Sequence, residues 1–201
     1  MEVQPVIDFK KSRKTVIEML LDRQYKIIHP IKTNEYVEED ANKLYTIMNF
    51  DDSLIIGQND TEDIHVYFIF SKIGIKVATS IVDKIIKNDI KHTILVCRGG
   101  FTTFAEQTIK SSSKEHNIDI ETFLQDKLLF NIMKNETQPQ RIEHIKDNNK
   151  IKLLHQTLSI KKKQSLMILS SDPVNKYYHG KPGEMYKVTT RGGKLDYYNI
   201  V

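Results

Sequence analysis

The sequence predicts an α/β domain followed by a small α+β domain, and three of its features carry this prediction. Two short runs of apolar, β-forming residues, His65–Phe70 and Thr93–Cys97, have the composition of strands that are covered on both faces. Between them, over Val77–Ile86, apolar residues recur with helical spacing. A polar stretch that contains proline, Asn135–Gln140, then ends the alternation. Strands that alternate with helices indicate an α/β layer, and the polar stretch indicates a domain boundary.

The first element is a helix. Its apolar residues recur at i, i+1, i+4 and i+5, and they are Val16, Ile17, Leu20 and Leu21. We expect this helix to end around Asp22-Arg23-Gln24-Tyr25, and the weakly patterned residues 30–60 to form a strand or two with loops. After the second buried strand, Thr103 and Glu106 have the spacing of a capping box and predict the start of another helix. The apolar run Leu124–Ile132 predicts the end of a helix leading into a strand.

A short capped helix is predicted near the C-terminus. Asp172 is a good N-cap and Pro173 suits the first helical position, so the helix begins there. We expect it to end at Gly180, which tolerates the left-handed conformation. Because Tyr177 and Tyr178 are adjacent, they cannot both face inward, so one is expected to pack on the following strands and the other to face a partner.

A turn and a hairpin follow this helix. Lys181-Pro182-Gly183 predicts a type II turn, with glycine at the position of positive φ. Two β-like runs, Met185–Thr190 and Leu195–Val201, flank a Gly-Gly turn and predict a hairpin whose last strand is docked and not frayed. We therefore assign residues 1–137 to the first domain and residues 141–201 to the second.

Composition and cysteine content indicate a globular protein of a reducing compartment. The 201 residues are 39% apolar and 28% charged, with a formal net charge of +4. The single cysteine, Cys97, excludes an intrachain disulfide and a multi-cysteine zinc site. No apolar run approaches the roughly 20 residues that span a bilayer, and the first residues lack the pattern of a signal peptide. We expect an intracellular protein that does not associate with membranes.

Basic residues concentrate after Asp147. No acid occurs between Asp147 and Asp172, whereas five lysines do: Lys150, Lys152, Lys161, Lys162 and Lys163. Two interpretations stay open. The stretch is either a solvated basic segment or a patch that faces nucleic acid or an acidic protein.

The sequence does not indicate catalysis, and we expect no metal and no cofactor. Five acids precede the strand at His65–Phe70: Asp51, Asp52, Asp60, Glu62 and Asp63. That strand itself contains no acid or lysine, which favours a solvated loop over the clustered carboxylates of a nuclease. The seven histidines lack metal-binding spacings, and Cys97 ends an apolar strand, which favours a core position over a nucleophile. Gly192-Gly193-Lys194 precedes a strand, unlike a phosphate-binding loop.

A set of motifs distributed from Phe9 to Val201 points to one protein family. The motifs are Arg13-Lys14-Thr15, Asp22-Arg23-x-Tyr25, Lys72-Ile73-Gly74-Ile75-Lys76, Phe123-Leu124, Leu128-Leu129-x-Asn131-Ile132, and Asp172-Pro173-Val174 to Lys181-x-Gly183. In this order they resemble the fifth-largest subunit shared by eukaryotic RNA polymerases, whose C-terminal part is similar to a small archaeal polymerase subunit. One departure is Gln24, where the family has glycine.

The resemblance implies a non-catalytic polymerase subunit in two parts. The α/β part would be the N-terminal jaw domain, which lies beside downstream double-stranded DNA. The α+β part would be the C-terminal assembly domain, which docks on the largest subunit. The location would be nuclear for a cellular polymerase, or the host cytoplasm and virion for one encoded by a large DNA virus. A free-standing DNA-binding transcription factor and a nuclease-like protein stay open as alternatives.

Two sets of residues are the candidate sites. The docking motif implied by the resemblance comprises Asp172, Pro173, Val174, Tyr177, Tyr178, Lys181, Gly183, Tyr198 and Val201. The family's loop near DNA corresponds here to Thr102-Thr103-Phe104-Ala105, and Arg98 lies just before it. Free N–H groups at a helix start beside a cation favour a phosphate. The DNA-proximal loop is therefore predicted to comprise Arg98, Gly99, Gly100, Thr102 and Thr103.

Overall fold

A computed structural model describes residues 4–29, 55–60, 62–136, 138–139, 141–157 and 166–201. The chain divides into two compact units, Met1–Phe130 and Asn131–Val201. This division falls a few residues before the predicted boundary, because the Asn131 side chain bonds the Tyr177 hydroxyl at 3.2 Å within the second unit. Within the described ranges, no helix has both the length and the apolar character needed to cross a membrane.

The described part of the first unit is a five-stranded mixed sheet with helices. Its elements are α1 (Gln4–Asp22), β1 (Lys26–His29), β2 (Ile55–Gln58), β3 (Asp63–Ile69), α2 (Ile75–Lys87), β4 (His92–Cys97), α3 (Thr103–His116) and β5 (Asp119–Leu124). The sheet order is β1-β2-β3-β4-β5, antiparallel up to β3 and parallel from β3 to β5. The predicted α/β alternation is confirmed. The prediction for Leu124–Ile132 is wrong, since β5 ends at Leu124 and short 3₁₀ turns follow.

Both faces of the central strands are covered, as the apolar runs predicted. On one face, Tyr67 and Leu95 are buried with Ile81 and Ile85 of α2 in a single cluster. On the other face, the Phe9 ring of α1 contacts the Phe68 ring, with 5.2 Å between centroids. Successive residues of a strand point to opposite faces, so a strand that is covered twice needs apolar residues at every position.

The first helix ends at the predicted place, at Asp22, and the next turn is strained. Gln24 has φ of 69°, in the left-handed region that glycine adopts most readily. Its N–H still donates to the Leu21 carbonyl at 2.9 Å, and the Tyr25 N–H donates to Leu20. Gln24 therefore occupies a C-terminal helix position that is better suited to glycine.

In its described residues, the second unit is a four-stranded sheet with two helices and a preceding 3₁₀ turn at Ile132–Lys134. Its elements are β6 (Arg141–Ile145), α4 (Asn148–Thr157), β7 (Leu166–Ile168), α5 (Pro173–Tyr178), β8 (Met185–Thr189) and β9 (Leu195–Ile200). The sheet order is β6-β8-β9-β7, in which only the β7–β9 pair is parallel. Ile151 of α4 packs with Met185 on one face, and Tyr178 of α5 packs with Tyr186 on the other. The predicted α+β character and the terminal hairpin are confirmed.

Candidate functional site

The C-terminal motif begins with a capped helix. The Asp172 carboxylate accepts from the Val174 N–H at 2.8 Å, and Pro173 occupies the first turn, as predicted. The end of the helix differs from the prediction. The left-handed residue is His179, with φ of 54°, and Gly180 follows it without positive φ. The prediction that Gly180 ends the helix in the left-handed conformation is therefore wrong.

Gly180 is needed instead because the helix and the hairpin approach each other closely at this residue. A Cβ built on it would lie 2.2 Å from the Tyr186 hydroxyl oxygen, 2.4 Å from Ile200 Cδ1 and 2.5 Å from Asn175 Oδ1. Real Cβ atoms essentially never approach other atoms below 3.0 Å. Only glycine therefore fits between the helix and the hairpin at this point.

Asn175, which the sequence analysis did not single out, organises this packing. Its side chain is buried, its amide group donates to the Ser170 and Gly180 carbonyls, and its oxygen accepts from the Tyr186 hydroxyl at 2.8 Å. The side chain thereby joins the residue before the helix, the residue after it and the hairpin. An Asn in a short helix carries no sequence pattern that reveals such a role.

The turn after the helix has the predicted geometry. Gly183 has φ of 95°, and the Glu184 N–H donates to the Lys181 carbonyl at 3.0 Å. The Glu184 carboxylate accepts from the Lys181 N–H at 2.8 Å and bonds His144 Nε2 at 2.7 Å. Burial lowers the pKa of His144, and the adjacent Glu184 carboxylate opposes that shift. The turn is thus tied to β6 through an interaction between a histidine and a carboxylate.

The two tyrosines both pack within the second unit. Tyr177 is 3% exposed and its hydroxyl accepts from Asn131, while the half-buried Tyr178 packs against Tyr186 of the hairpin, with 5.9 Å between ring centroids. The expectation that one tyrosine packs on the strands is met by Tyr178. The expectation that the other faces a partner is wrong, because Tyr177 is buried inside its own unit.

The last residues are docked, as predicted. The Val201 carbonyl accepts from the Ser170 N–H at 2.8 Å and from its hydroxyl at 2.7 Å. Ile200 is 2% exposed within the apolar cluster of the hairpin, and Tyr198 packs against that cluster. Within the proposed docking motif, Tyr177 therefore has an internal role, and Tyr198 is half buried.

Exposed apolar side chains lie beside the motif on β7. Leu166, Met167 and Leu169 are 46%, 60% and 63% exposed, and Val201 is 47% exposed. Strand β7 lies at the edge of the sheet. An edge strand with exposed apolar side chains is typical of a surface that another chain covers.

The second candidate site is the loop from Arg98 to Thr103. It follows the carboxyl end of β4 and leads into α3, but the N-cap is Thr102, whose hydroxyl accepts from the Ala105 N–H at 3.2 Å. The predicted capping box of Thr103 and Glu106 is therefore wrong: Thr103 is the first residue of the helix, and the residue three positions after the cap is Ala105, which cannot return a side-chain bond. Gly100 has φ of 78°, and Arg98 is exposed.

Cys97 ends the strand before this loop and lies in the core. It is fully buried, and its thiol donates to the Ser71 and Gly100 carbonyls. Burial raises the pKa of the thiol. A buried thiol with a raised pKa is a poor nucleophile, so the predicted core position is confirmed.

A buried polar network at the opposite end of the strands was not predicted. The Arg23 guanidinium bonds both oxygens of Glu121, at 2.7 and 2.9 Å, and His92 Nε2 lies 2.9 Å from Glu121 Oε1. Glu62, one of the five acids of the predicted loop, accepts from the Tyr25 hydroxyl at 2.5 Å. Asp51 and Asp52 lie outside the described residues. Glu62 thus takes part in a structural network, which single-position sequence patterns cannot reveal.

Comparison with known proteins supports the resemblance to the polymerase subunit. The model of the RNA polymerase Rpb5 C-terminal domain matches residues 130–201. The rpabc1 subunit of RNA polymerases I, II and III of Dictyostelium discoideum is 29% identical over 180 residues, which cover 88% of this chain and 86% of that protein. The RPABC1 subunit of Caenorhabditis elegans is 27% identical over 202 residues, covering 95% and 94%. An Arabidopsis thaliana polymerase subunit 5-like protein is 28% identical over 198 residues, covering 94% and 91%. The resemblance is confirmed: this chain is similar to Rpb5-type polymerase subunits over most of its length, and its residues 130–201 match the Rpb5 C-terminal domain.

Proposed function

We propose that this protein acts in transcription as a non-catalytic subunit of a multisubunit DNA-directed RNA polymerase. The observation that carries the proposal is the extent of the similarity to shared polymerase subunits, which covers 88% of this chain and 86% of the Dictyostelium relative. Similarity of this extent includes both compact units and not the C-terminal domain alone. The buried thiol of Cys97 and the structural role of Glu62 agree with a protein that contributes no catalytic group.

The second unit is proposed to be the assembly domain that docks on the largest subunit. Asp172, Gly180 and Gly183 hold the helix, turn and hairpin in one arrangement. Beside them, the exposed apolar residues of β7 and the exposed Lys181 provide a surface for another chain. The motif residues would therefore act mainly by shaping this surface.

The first unit is proposed to be the jaw domain near downstream DNA. The Arg98–Thr103 loop presents an exposed cation and backbone N–H groups at the start of α3. Such groups position a phosphate backbone without reading bases. We place the protein in the nucleus if the polymerase is cellular, and in the host cytoplasm and virion if a large DNA virus encodes it.

Affinity purification of the tagged full-length chain tests the proposal. Mass spectrometry should find the larger polymerase subunits in a fixed ratio to the tagged chain. A Gly180→Ala variant, whose packing is disturbed, should recover them poorly, whereas a Lys110→Gln variant on the exposed face of α3 should recover them normally. Recovery of the chain without polymerase subunits would contradict the proposal.

The two alternatives predict different results with the isolated chain. A free-standing DNA-binding factor should bind duplex DNA tightly at physiological salt, with an affinity that falls steeply as salt rises. A nuclease should cleave DNA in a metal-dependent reaction that Asp51→Ala with Asp52→Ala abolishes. We expect neither result.

A further inference from the structure

A second loop extends the surface of the Arg98–Thr103 loop. Residues 70–74 leave the carboxyl end of β3 and are bonded to residues 98–102. The Ile73 N–H donates to the Gly100 carbonyl at 2.9 Å, and the Thr102 N–H donates to the Ile73 carbonyl at 3.0 Å. Two parallel strands that end side by side thus continue into two bonded loops, which form one surface.

Glycine brings the two loops into backbone contact. A Cβ built on Gly99 would lie 2.5 Å from the Lys72 nitrogen and 2.7 Å from Lys72 Cα. Arg98 precedes Gly99 in the chain. Lys72 and Arg98 therefore occupy neighbouring backbone positions on the two loops. Lys76 lies in the first turn of α2, one turn beyond Lys72.

The charge of this surface is positive. Lys72, Lys76 and Arg98 are exposed, and residues 70–76 and 98–103 contain no acid. Lys72 and Lys76 make no ion pair with any residue in the described part of the chain. The elements beside the loops carry Glu106, in the first turn of α3, and Asp126, which lies 3.9 Å from the Lys127 ammonium. Asp83 of α2 and Glu115 of α3 lie about two or more turns further along their helices.

We propose that Lys72 and Lys76 join Arg98 in binding the phosphate backbone of duplex DNA. The proposal deepens the proposed function of the first unit and rests on it. Its basis is charge complementarity, since three exposed cations on two bonded loops suit a run of phosphates. Lysine is a flexible point charge that makes no bidentate base contact, so these residues position DNA without reading its sequence. The competing occupant is an acidic protein segment. Its acids would pair with the cations, and an apolar side chain would pack on Phe104, which is 66% exposed beside the loops.

The test compares two double variants of the full chain. Lys72→Gln with Lys76→Gln removes the proposed contacts, and Lys110→Gln with Lys114→Gln removes two exposed lysines of the same spacing from α3. Each is incorporated into the polymerase, and duplex DNA binding by the purified complex is measured against salt concentration. The first pair should weaken binding and reduce the slope of log Kd against log salt by about 2, since each lost phosphate contact removes about 1. The control pair should keep the wild-type slope.

The possible results separate this proposal from the proposed function. A wild-type slope for the Lys72/Lys76 variant in a fully assembled complex would overturn the DNA contact alone. If DNA binding is unchanged but another protein is lost from the complex, the surface binds an acidic protein segment. That result would also overturn the DNA contact. If even the wild-type chain fails to enter a polymerase, the proposed function fails. The same two variants are then compared as isolated chains with duplex DNA at low salt, where equal affinities would overturn the proposal.

A charge-reversed variant tests whether a loss of DNA binding is caused by a loss of stability. Lys76→Glu places an acid in the first turn of α2, which has none, and an acid there interacts favourably with the helix dipole. The thermal midpoint of the isolated chain should therefore stay the same or rise, while DNA binding by the complex falls further than with Lys76→Gln. Parallel loss of the midpoint and of DNA binding would overturn the assignment of Lys76.

Discussion

Replacing Gly180 with alanine should destabilise the second unit more than the same change at Gly183. The added methyl carbon would lie 2.2 Å from the Tyr186 hydroxyl oxygen, among three atoms closer than 3.0 Å. Relieving this contact moves Tyr186 away from Asn175, so that the amide oxygen of a buried side chain loses its partner. Overpacking costs about 1–3 kcal/mol, and an unsatisfied buried polar group costs about 1–3 kcal/mol. The free energy of unfolding should fall by about 2–6 kcal/mol.

Gly183→Ala is the matched control, because a Cβ on Gly183 meets nothing within 4 Å although φ is 95°. Its expected cost is the conformational strain alone, about 1–2 kcal/mol. Urea unfolding followed by circular dichroism measures both variants, and hydrogen exchange of the β8 and β9 amides assigns the loss to the second unit.

A double variant tests the cause. Tyr186→Phe removes the oxygen nearest to the added methyl group, so Gly180→Ala should cost less in the Tyr186→Phe protein than in the wild type. Equal costs in the two backgrounds, or equal costs of Gly180→Ala and Gly183→Ala in the wild type, would refute the close-approach argument.

Three further changes have expected outcomes. Gln24→Gly should raise the free energy of unfolding of the first unit by about 0.5–1 kcal/mol, because glycine relieves the left-handed strain at φ of 69° but loses more chain entropy; a lower urea midpoint would contradict this. Since the pKa of His144 is lowered in the folded state, stability should be constant above its ordinary value of 6.5 and decline as the pH falls below it. His144→Gln should make this decline shallower in urea unfolding between about pH 5 and 8, and identical profiles would contradict the assignment. Deletion of Tyr198–Val201 should reduce co-purification of polymerase subunits as severely as Gly183→Val does, because it removes the buried Ile200 and the partner of Ser170; assembly at normal yield would show that these residues are dispensable.

Local patterns in the sequence were sufficient where one element's own chemistry decides its structure. The runs at His65–Phe70 and Thr93–Cys97 are apolar at nearly every position, so a strand covered on both faces accommodates them. Asp172 caps a helix, and Gly183 adopts positive φ, because both depend on the backbone of a few neighbouring residues. The resemblance to the polymerase subunits was likewise accessible from several short motifs in a fixed order.

Two predictions about helix ends were wrong because neighbouring residues both suited the same position. Thr102 and Thr103 are both acceptable N-caps, and the bond between Ile73 and Thr102 across the two loops selects the first. At the end of α5, glycine is the usual left-handed residue, but the packing of Tyr186 uses Gly180 for space and leaves the left-handed position to His179.

The sequence by itself determined the two-part fold, the short helix with its turn and hairpin, and the resemblance to the polymerase subunits. Only the tertiary structure decided which side chains are internal and which are available to a partner. Asn175, Tyr177 and Tyr186 lie inside the second unit through contacts between residues that are far apart in sequence. Lys72 meets the Arg98 loop for the same reason, because parallel pairing of β3 with β4 brings their ends together. Such contacts depend on strand register and helix packing, which a local pattern does not specify.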